Sequence, residues 1–408
     1  MKKLSILIVI TIFLAQGCKK ASTDDLSNNT ALKQNLDANV TNAKEKLVAF
    51  ITDQHLLNKV ADFNNLARNN AAQNTARQGL PRNTDREDYE SFVQTAIDPN
   101  SYQCGPTILD QYINNKVSTW DANDFNIYFA FSGIVFDYAF VYQNSNASGI
   151  PYFGDHGQYT NVSTRTIRDL KNFWNIPTDI YLTSSHGVFF NDINRMTVIL
   201  KLYRDLGILD PSTTDAQITG IARYLQLVFG SSHFQNFLNP LLTFNAFASD
   251  ADPFFHTTKK IVMGDGIQQA YFDLGYGDVA TQAIMSHEYG HQVQFANPAL
   301  VTFEFTPEGT RLTELMADAF AGYFLTHSRG ASMNWHRVKE FLGVFYSIGD
   351  CQFSSASHHG TPNQRMKAAQ FGNDLANNAQ NQGQILTSQQ FITRFLAAYP
   401  AIIAPDGQ

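Results

Sequence analysis

Apolar positions recur at helical spacing over much of the chain. Between about Ala43 and Ala71, Leu47, Phe50, Ile51, Leu56, Val60 and Phe63 mark the buried face of a helix or helix pair. The run FNIYFAFSGIVFDYAFVY, residues 125–142, is strongly apolar, but Asn126 and Asp137 interrupt it, which predicts buried core rather than a membrane span. Further helical patterns cover 189–206 and 214–229, with short loops of Pro, Gly or Asn between them. Residues 72–100 lack periodicity and read as loop, and residues 18–40 are polar and read as a tether. The pattern predicts a mainly α chain of the α+β kind with a small β element. It has an N-terminal, mostly helical region over 41–252 and a module over 253–408 that ends in C-terminal helices.

The first residues change the expected location. In MKKLSILIVITIFLAQGC, Lys2 and Lys3 precede the apolar run Leu4–Leu14, and Ala15-Gln16-Gly17 forms a small-residue cut site, the three parts of an export signal over residues 1–17. Cys18 then resembles the acylated cysteine of bacterial lipoproteins, although Ala15 stands where leucine is usual. The expectation is an exported lipoprotein, anchored by lipid to the outer membrane or cell surface. In that oxidising setting Cys104 and Cys351 are left as a possible disulfide pair, or as two buried thiols. The chain has 408 residues, and its net charge of −7 with only 16% charged residues offers no footprint for nucleic acid.

Candidate chemistry lies in DVATQAIMSHEYGHQVQFANP, residues 278–298. Asp278 is placed as the N-cap, and Pro298 ends the helix. Residues four apart on a helix are offset by only about 40° and about 6 Å, so His287 and His291 can present two imidazoles to one metal ion. Glu288 is turned about 100° from His287, where its carboxylate reaches toward a water rather than the metal. The Gly and His that extend the longer zinc-protease pattern are missing, since Gln294 and Asn297 stand there. A third ligand must come from elsewhere. The amphipathic segment RLTELMADAFAGYFL, residues 311–325, carries Glu314 and Asp318 one turn apart among apolar residues. Buried carboxylates need cations or donors. Zn²⁺ for Glu314 and the ring N–H of a ligating histidine for Asp318 meet that need.

HEYGH, TELMADAFAG and HGTPNQR (residues 359–365) together resemble the bacterial neutral zinc metallopeptidase family, which follows the two-histidine, one-glutamate scheme of the gluzincins. FFHTTKKIVMGDG and LGYGDVATQAIMSHEYGHQVQ look like that family's strand, acidic loop and zinc helix. The resemblance spans about residues 253–372. It implies a zincin-like module in which His287, His291 and Glu314 bind one zinc, Glu288 is general base and Asp318 supports a ligand. It also makes His359 and Arg365 candidates for stabilising the oxyanion, with a brace on Asp318 or Glu314 as the other role for Arg365. The expected activity is hydrolysis of a peptide or protein substrate. The alternative is a surface lipoprotein that binds a protein or glycan and keeps zinc for structure.

Overall fold

A computed structural model describes residues 30–60, 105–144, 151–304, 306–349, 359–378 and 383–406. The export signal, Cys18, Cys104, Cys351 and His358 lie outside the described residues. Those that are described form a mainly helical fold with a three-stranded sheet.

Helix α1 spans Thr30–Asp53 and buries Ala43, Leu47 and Ile51. Its start corrects the tether, which reaches into the helix from residue 30 onward. No Pro or Gly interrupts residues 30–40, so nothing in that polar stretch breaks the helix. After it come α2 (Ile108–Lys116), α3 (Ala122–Phe131) and α4 (Ile134–Tyr142). The apolar run at 125–142 thus breaks at Ser132-Gly133, and its halves bury Ile127, Phe131, Ile134 and Ala139 in the core. Helix α5 (Thr160–Phe173) leads to strand β1 (Tyr181–Ser185), then to α6 (Ile193–Asp205) and α7 (Asp215–Phe229). The expected helix at 214–229 matches α7, because Thr214 and Gln217 form a capping box at its start.

Strands β2 (Ala246–Ser249) and β3 (Lys260–Gly264) complete the sheet in the order β1-β3-β2. β1 runs parallel to β3, with Tyr181 opposite Lys260 and Ser185 opposite Gly264, and β2 is antiparallel to β3. Two of the three strands therefore precede Pro253, so the boundary expected at 252/253 cuts through the sheet. Among the described residues one large apolar core draws on residues from Ala43 to Ile403, and a second, smaller cluster joins Ala139 and Phe140 of α4 to Phe247 and Val262 of the sheet. Lys260 is fully buried on the central strand and donates to Phe140 O at 2.6 Å and Gln143 O at 2.8 Å, capping the carbonyl end of α4. Burial pulls its ammonium down to about 8.

The remaining helices are α8 (Asp265–Asp273), α9 (Gly277–Phe295), α10 (Pro307–Thr326), α11 (Trp335–Ile348), α12 (Pro362–Asn377) and α13 (Ser388–Ile403). The acidic loop expected after β3 is the first turn of α8. Asp278 lies inside the first turn of α9 instead of capping it, and its carboxylate accepts from Arg337 Nη2 at 2.9 Å. An acidic side chain there still favours the positive end of the helix dipole.

Helices α10 and α12 approach closely because glycines face backbone. A Cβ on Gly322 would sit 2.2 Å from Ala369 O, and one on Gly372 would sit 2.1 Å from Ala319 O. Gly372→Ala is therefore expected to force the helices apart and cost about 1–3 kcal/mol in urea unfolding. Wild-type stability in that variant would contradict the close contact.

Asp137 of α4 is buried against the hydroxyl of Tyr203, which donates to it. Burial pushes this carboxyl up to about 7, against the lowering effect of that hydrogen bond. An unfolded aspartate titrates near ~4, so the folded state binds the extra proton between roughly pH 4 and 7, and stability falls as pH rises through that window. In Asp137→Asn this slope should flatten, as unfolding measured across a pH series will report.

Candidate metal centre

Helices α9 and α10 place their side chains at matching one-turn intervals. His287 and His291 project from α9 toward Glu314 and Asp318 of α10, with His287 level with Asp318 and His291 level with Glu314. Thr306 caps α10, with its side chain accepting from Gly309 N, and Pro307 occupies the first turn, where its missing N–H is not needed. The segment HGTPNQR has an equally local explanation. Gly360 takes a φ of +99°, Thr361 and Gln364 form a capping box, and Pro362 opens α12. Arg365 then emerges from the first turn of α12, beneath Asp318.

The hydrogen-bond chain is fully directed. Arg365 donates from Nε to Asp318 Oδ2 at 2.7 Å and from Nη2 to Oδ1 at 2.6 Å, a bidentate pair. Asp318 Oδ1 also accepts from His287 Nδ1 at 2.7 Å. Gln294 does the same for the second imidazole. Its Nε2 donates to Thr313 O at 2.7 Å, which orients the amide so that Oε1 accepts from His291 Nδ1 at 2.9 Å. With each Nδ1 carrying the hydrogen, each neutral imidazole turns its Nε2 lone pair the other way.

Those lone pairs meet. His287 Nε2 and His291 Nε2 are 3.2 Å apart, and they lie 3.2 Å and 3.4 Å from the two carboxylate oxygens of Glu314. Acceptors at such distances repel unless a cation or shared protons lie among them. Protons respond to this demand. Burial pulls the His287 imidazole down, but Asp318 and Glu314 outweigh it and raise it to about 10. His291 is raised too, its burial outweighed chiefly by the charge of Glu314. Burial pushes the Glu314 carboxyl up, yet His359, His291 and His287 hold it well below the usual carboxylate range. A tetrahedral ion with bonds of about 2.0–2.1 Å holds its ligand atoms about 3.3–3.4 Å apart. The observed spacings fit that geometry, and two imidazoles with one carboxylate suit a borderline divalent ion.

Glu288 is buried on the same helix, and burial pushes its carboxyl up against the lowering influence of His287 and His291. His359 is half-buried, and its charge acts on Glu314. Arg365 is committed to Asp318, with Nη2 4.0 Å from Glu314 Oε2, so its place is the brace. Tyr289 and Tyr323 are buried packing residues. His327 is buried and donates toward Gln384 O at 3.3 Å, while His336 lies at the surface beside Glu340.

Comparison with protein-family models, curated proteins and solved structures returns no match. What this site does must be read from its own atoms. Among the described residues one more group has metal-ligating types, Asp121, Asp124 and His233. There the ammonium of Lys44 lies 2.5 Å from Asp124 Oδ1 and 3.1 Å from Asp121 Oδ2, so a protein cation already fills the position.

Gln294 is the residue that sequence reasoning passed over, noted only as a break in a longer pattern. Its signal is position, three residues after His291 on the same helix. Gln294→Leu removes the acceptor for His291 at similar volume, and metal affinity should fall about 10- to 100-fold. Metal titration would expose the error if affinity stayed at the wild-type level.

Proposed function

We propose that this chain is a zinc-dependent peptidase. The observation that carries the reading is the convergence of the two imidazole Nε2 atoms, 3.2 Å apart, with the Glu314 carboxylate, whose oxygens lie 3.2 Å and 3.4 Å from them, beside the buried Glu288 carboxylate. His2Glu sets leave a coordination position open, which suits catalysis more than a closed structural site. The motif resemblance to neutral zinc metallopeptidases, with its zincin-like module, supports the same reading.

Zinc bound there supplies Lewis-acid polarisation of a carbonyl and lowers the pKa of water. Glu288 takes a proton from the attacking water and delivers it to the leaving amine. Burial favours its protonated form, which helps the second half of that cycle. Asp318 and Gln294 hold the two imidazoles in the tautomer that turns Nε2 inward. Arg365 holds the Asp318 carboxylate in place with its bidentate pair. His359 is the residue we assign to donate toward the oxyanion, because it lies on the Glu314 side of the centre. The export signal and Cys18 support action at a membrane surface on peptides outside the cytoplasm.

The purified wild-type chain is expected to hold a single zinc, and Glu314→Ala to lose it. Glu288→Gln should keep the metal while peptide hydrolysis drops about 10²- to 10⁴-fold or more. Zinc content with hydrolysis unchanged in Glu288→Gln would remove the general-base role. A chain that keeps zinc yet cleaves no peptide in a broad substrate screen would favour the structural-zinc lipoprotein.

A further inference from the structure

A second constellation lies at the carboxyl ends of the two parallel strands, apart from the metal ligands. Ser184 stands near the end of β1, His186 follows that strand directly, and Asp265 opens α8 just beyond β3. Crevices beyond the carboxyl ends of parallel strands are recurrent sites for ligands. Ser184 Oγ is 2.8 Å from His186 Nε2, and His186 Nδ1 is 2.6 Å from Asp265 Oδ2. Asp265 Oδ1 accepts from the backbone N–H of Gly154 at 2.8 Å, so the carboxylate is held from both sides. Nucleophile, base and orienting acid thus stand in the order and at the distances of a hydrolytic triad.

The hydroxyl of Ser184 also has a second acceptor, the carbonyl oxygen of Tyr152 at 2.6 Å. One proton cannot serve both acceptors fully. While Tyr152 is seated, its carbonyl competes with His186 for the hydroxyl hydrogen. Once Tyr152 moves off, His186 Nε2 is left as the acceptor that general-base catalysis requires. The Tyr152 ring stacks on the imidazole at 4.0 Å between centroids and is itself 43% exposed, so it covers the pair from the solvent side. Ser184, only 2% exposed, is reached through that cover.

We propose that Ser184, His186 and Asp265 form a second hydrolytic centre, one that takes small uncharged carboxylic esters through an acyl-Ser184 intermediate. The Tyr152 ring over the buried Ser184 limits size. The carboxyls of Asp265 and neighbouring Asp155 disfavour anionic acyl groups. Esters suit the site because alkoxide leaving groups ask less of the catalyst than amines. Ser184 Oγ bonds to the ester carbonyl carbon as its proton passes to His186 Nε2. The bond from that carbon to the alkoxy oxygen breaks, and His186 returns the proton to the departing alcohol. Water then attacks the acyl carbon, giving its proton through His186 to Ser184 Oγ and releasing the carboxylic acid.

The test is reaction of the purified full chain with a fluorophosphonate, with the adduct located by peptide mass spectrometry, alongside p-nitrophenyl acetate turnover. The wild type should carry the adduct on Ser184, and Tyr152→Ala should form it faster. Labelling in His186→Gln should be about 100-fold slower or worse, and Ser184→Ala should abolish it. Glu314→Ala should label as the wild type does, and loss of labelling there would count against a centre separate from the metal ligands. No adduct on Ser184 in either the wild type or Tyr152→Ala would overturn the proposal and leave the three residues as a polar clasp for Tyr152. That outcome does not depend on how well Ser184→Ala folds.

Discussion

The carboxylate of Asp318 is the constraint on which the candidate metal centre depends. It is fully buried, where an unpaired charge is strongly unfavourable. Arg365 answers that charge with two hydrogen bonds, and His287 adds a third. The three groups come from α12, α10 and α9, so one buried charge fixes the relative placement of three helices. Buried ion pairs add little net stability over a well-packed apolar pair. What this one supplies is orientation, because it settles which nitrogen of His287 carries the hydrogen and where the other points.

The backbones of the three helices also lie unusually close, with glycines of each facing another's backbone. The sequence allows this with small residues on the facing surfaces. Ala319 and Gly322 in MADAFAG face Gly372 and Ala369 in KAAQFG, Ala317 on the other side of α10 lies against Gly290 of α9, and all three alanines are fully buried. Composition sets helix spacing here, helix spacing sets the Asp318–Arg365 pair, and the pair sets the ligand geometry. An enlarged residue at this seam acts on the metal site without touching it.

The site was more legible in the sequence than the fold around it. His287, His291, Glu314 and Asp318 follow from one-turn spacing on two amphipathic helices, which is a local property that a sequence displays directly. The bracing role of Arg365 was one of two readings, and only the placement of α12 decides between them. The sheet was legible only in part. YLTSS and AFAS are four or five residues long and lack a clean alternation, so neither strand separates from loop by pattern alone. The boundary drawn at Pro253 failed for that reason, since β1 pairs with a strand about 80 residues later. Ser184, His186 and Asp265 share the same obstacle. Their association is a product of sheet topology, and no spacing rule joins His186 to a residue 79 positions away.

Among the described residues two groups bring histidine and carboxylates together as a set of three possible metal ligands, and the contrast between them shows what residue type alone leaves open. At Asp121, Asp124 and His233 the ammonium of Lys44 reaches in from α1, neutralising the acids and tying that helix to α3. The cluster is complete and holds structure together. At His287, His291 and Glu314 the guanidinium of Arg365 lies close by, but it directs its two short hydrogen bonds to Asp318 and comes only within 4.0 Å of Glu314. The acceptors that remain point at one another across 3.2–3.4 Å. The charges of His359 and Arg365 act on Glu314 from one side, yet acceptors that face one another this closely still call for shared protons or a cation among them. Protons on the histidines meet the charge requirement, but a divalent ion meets both the charge and the tetrahedral spacing.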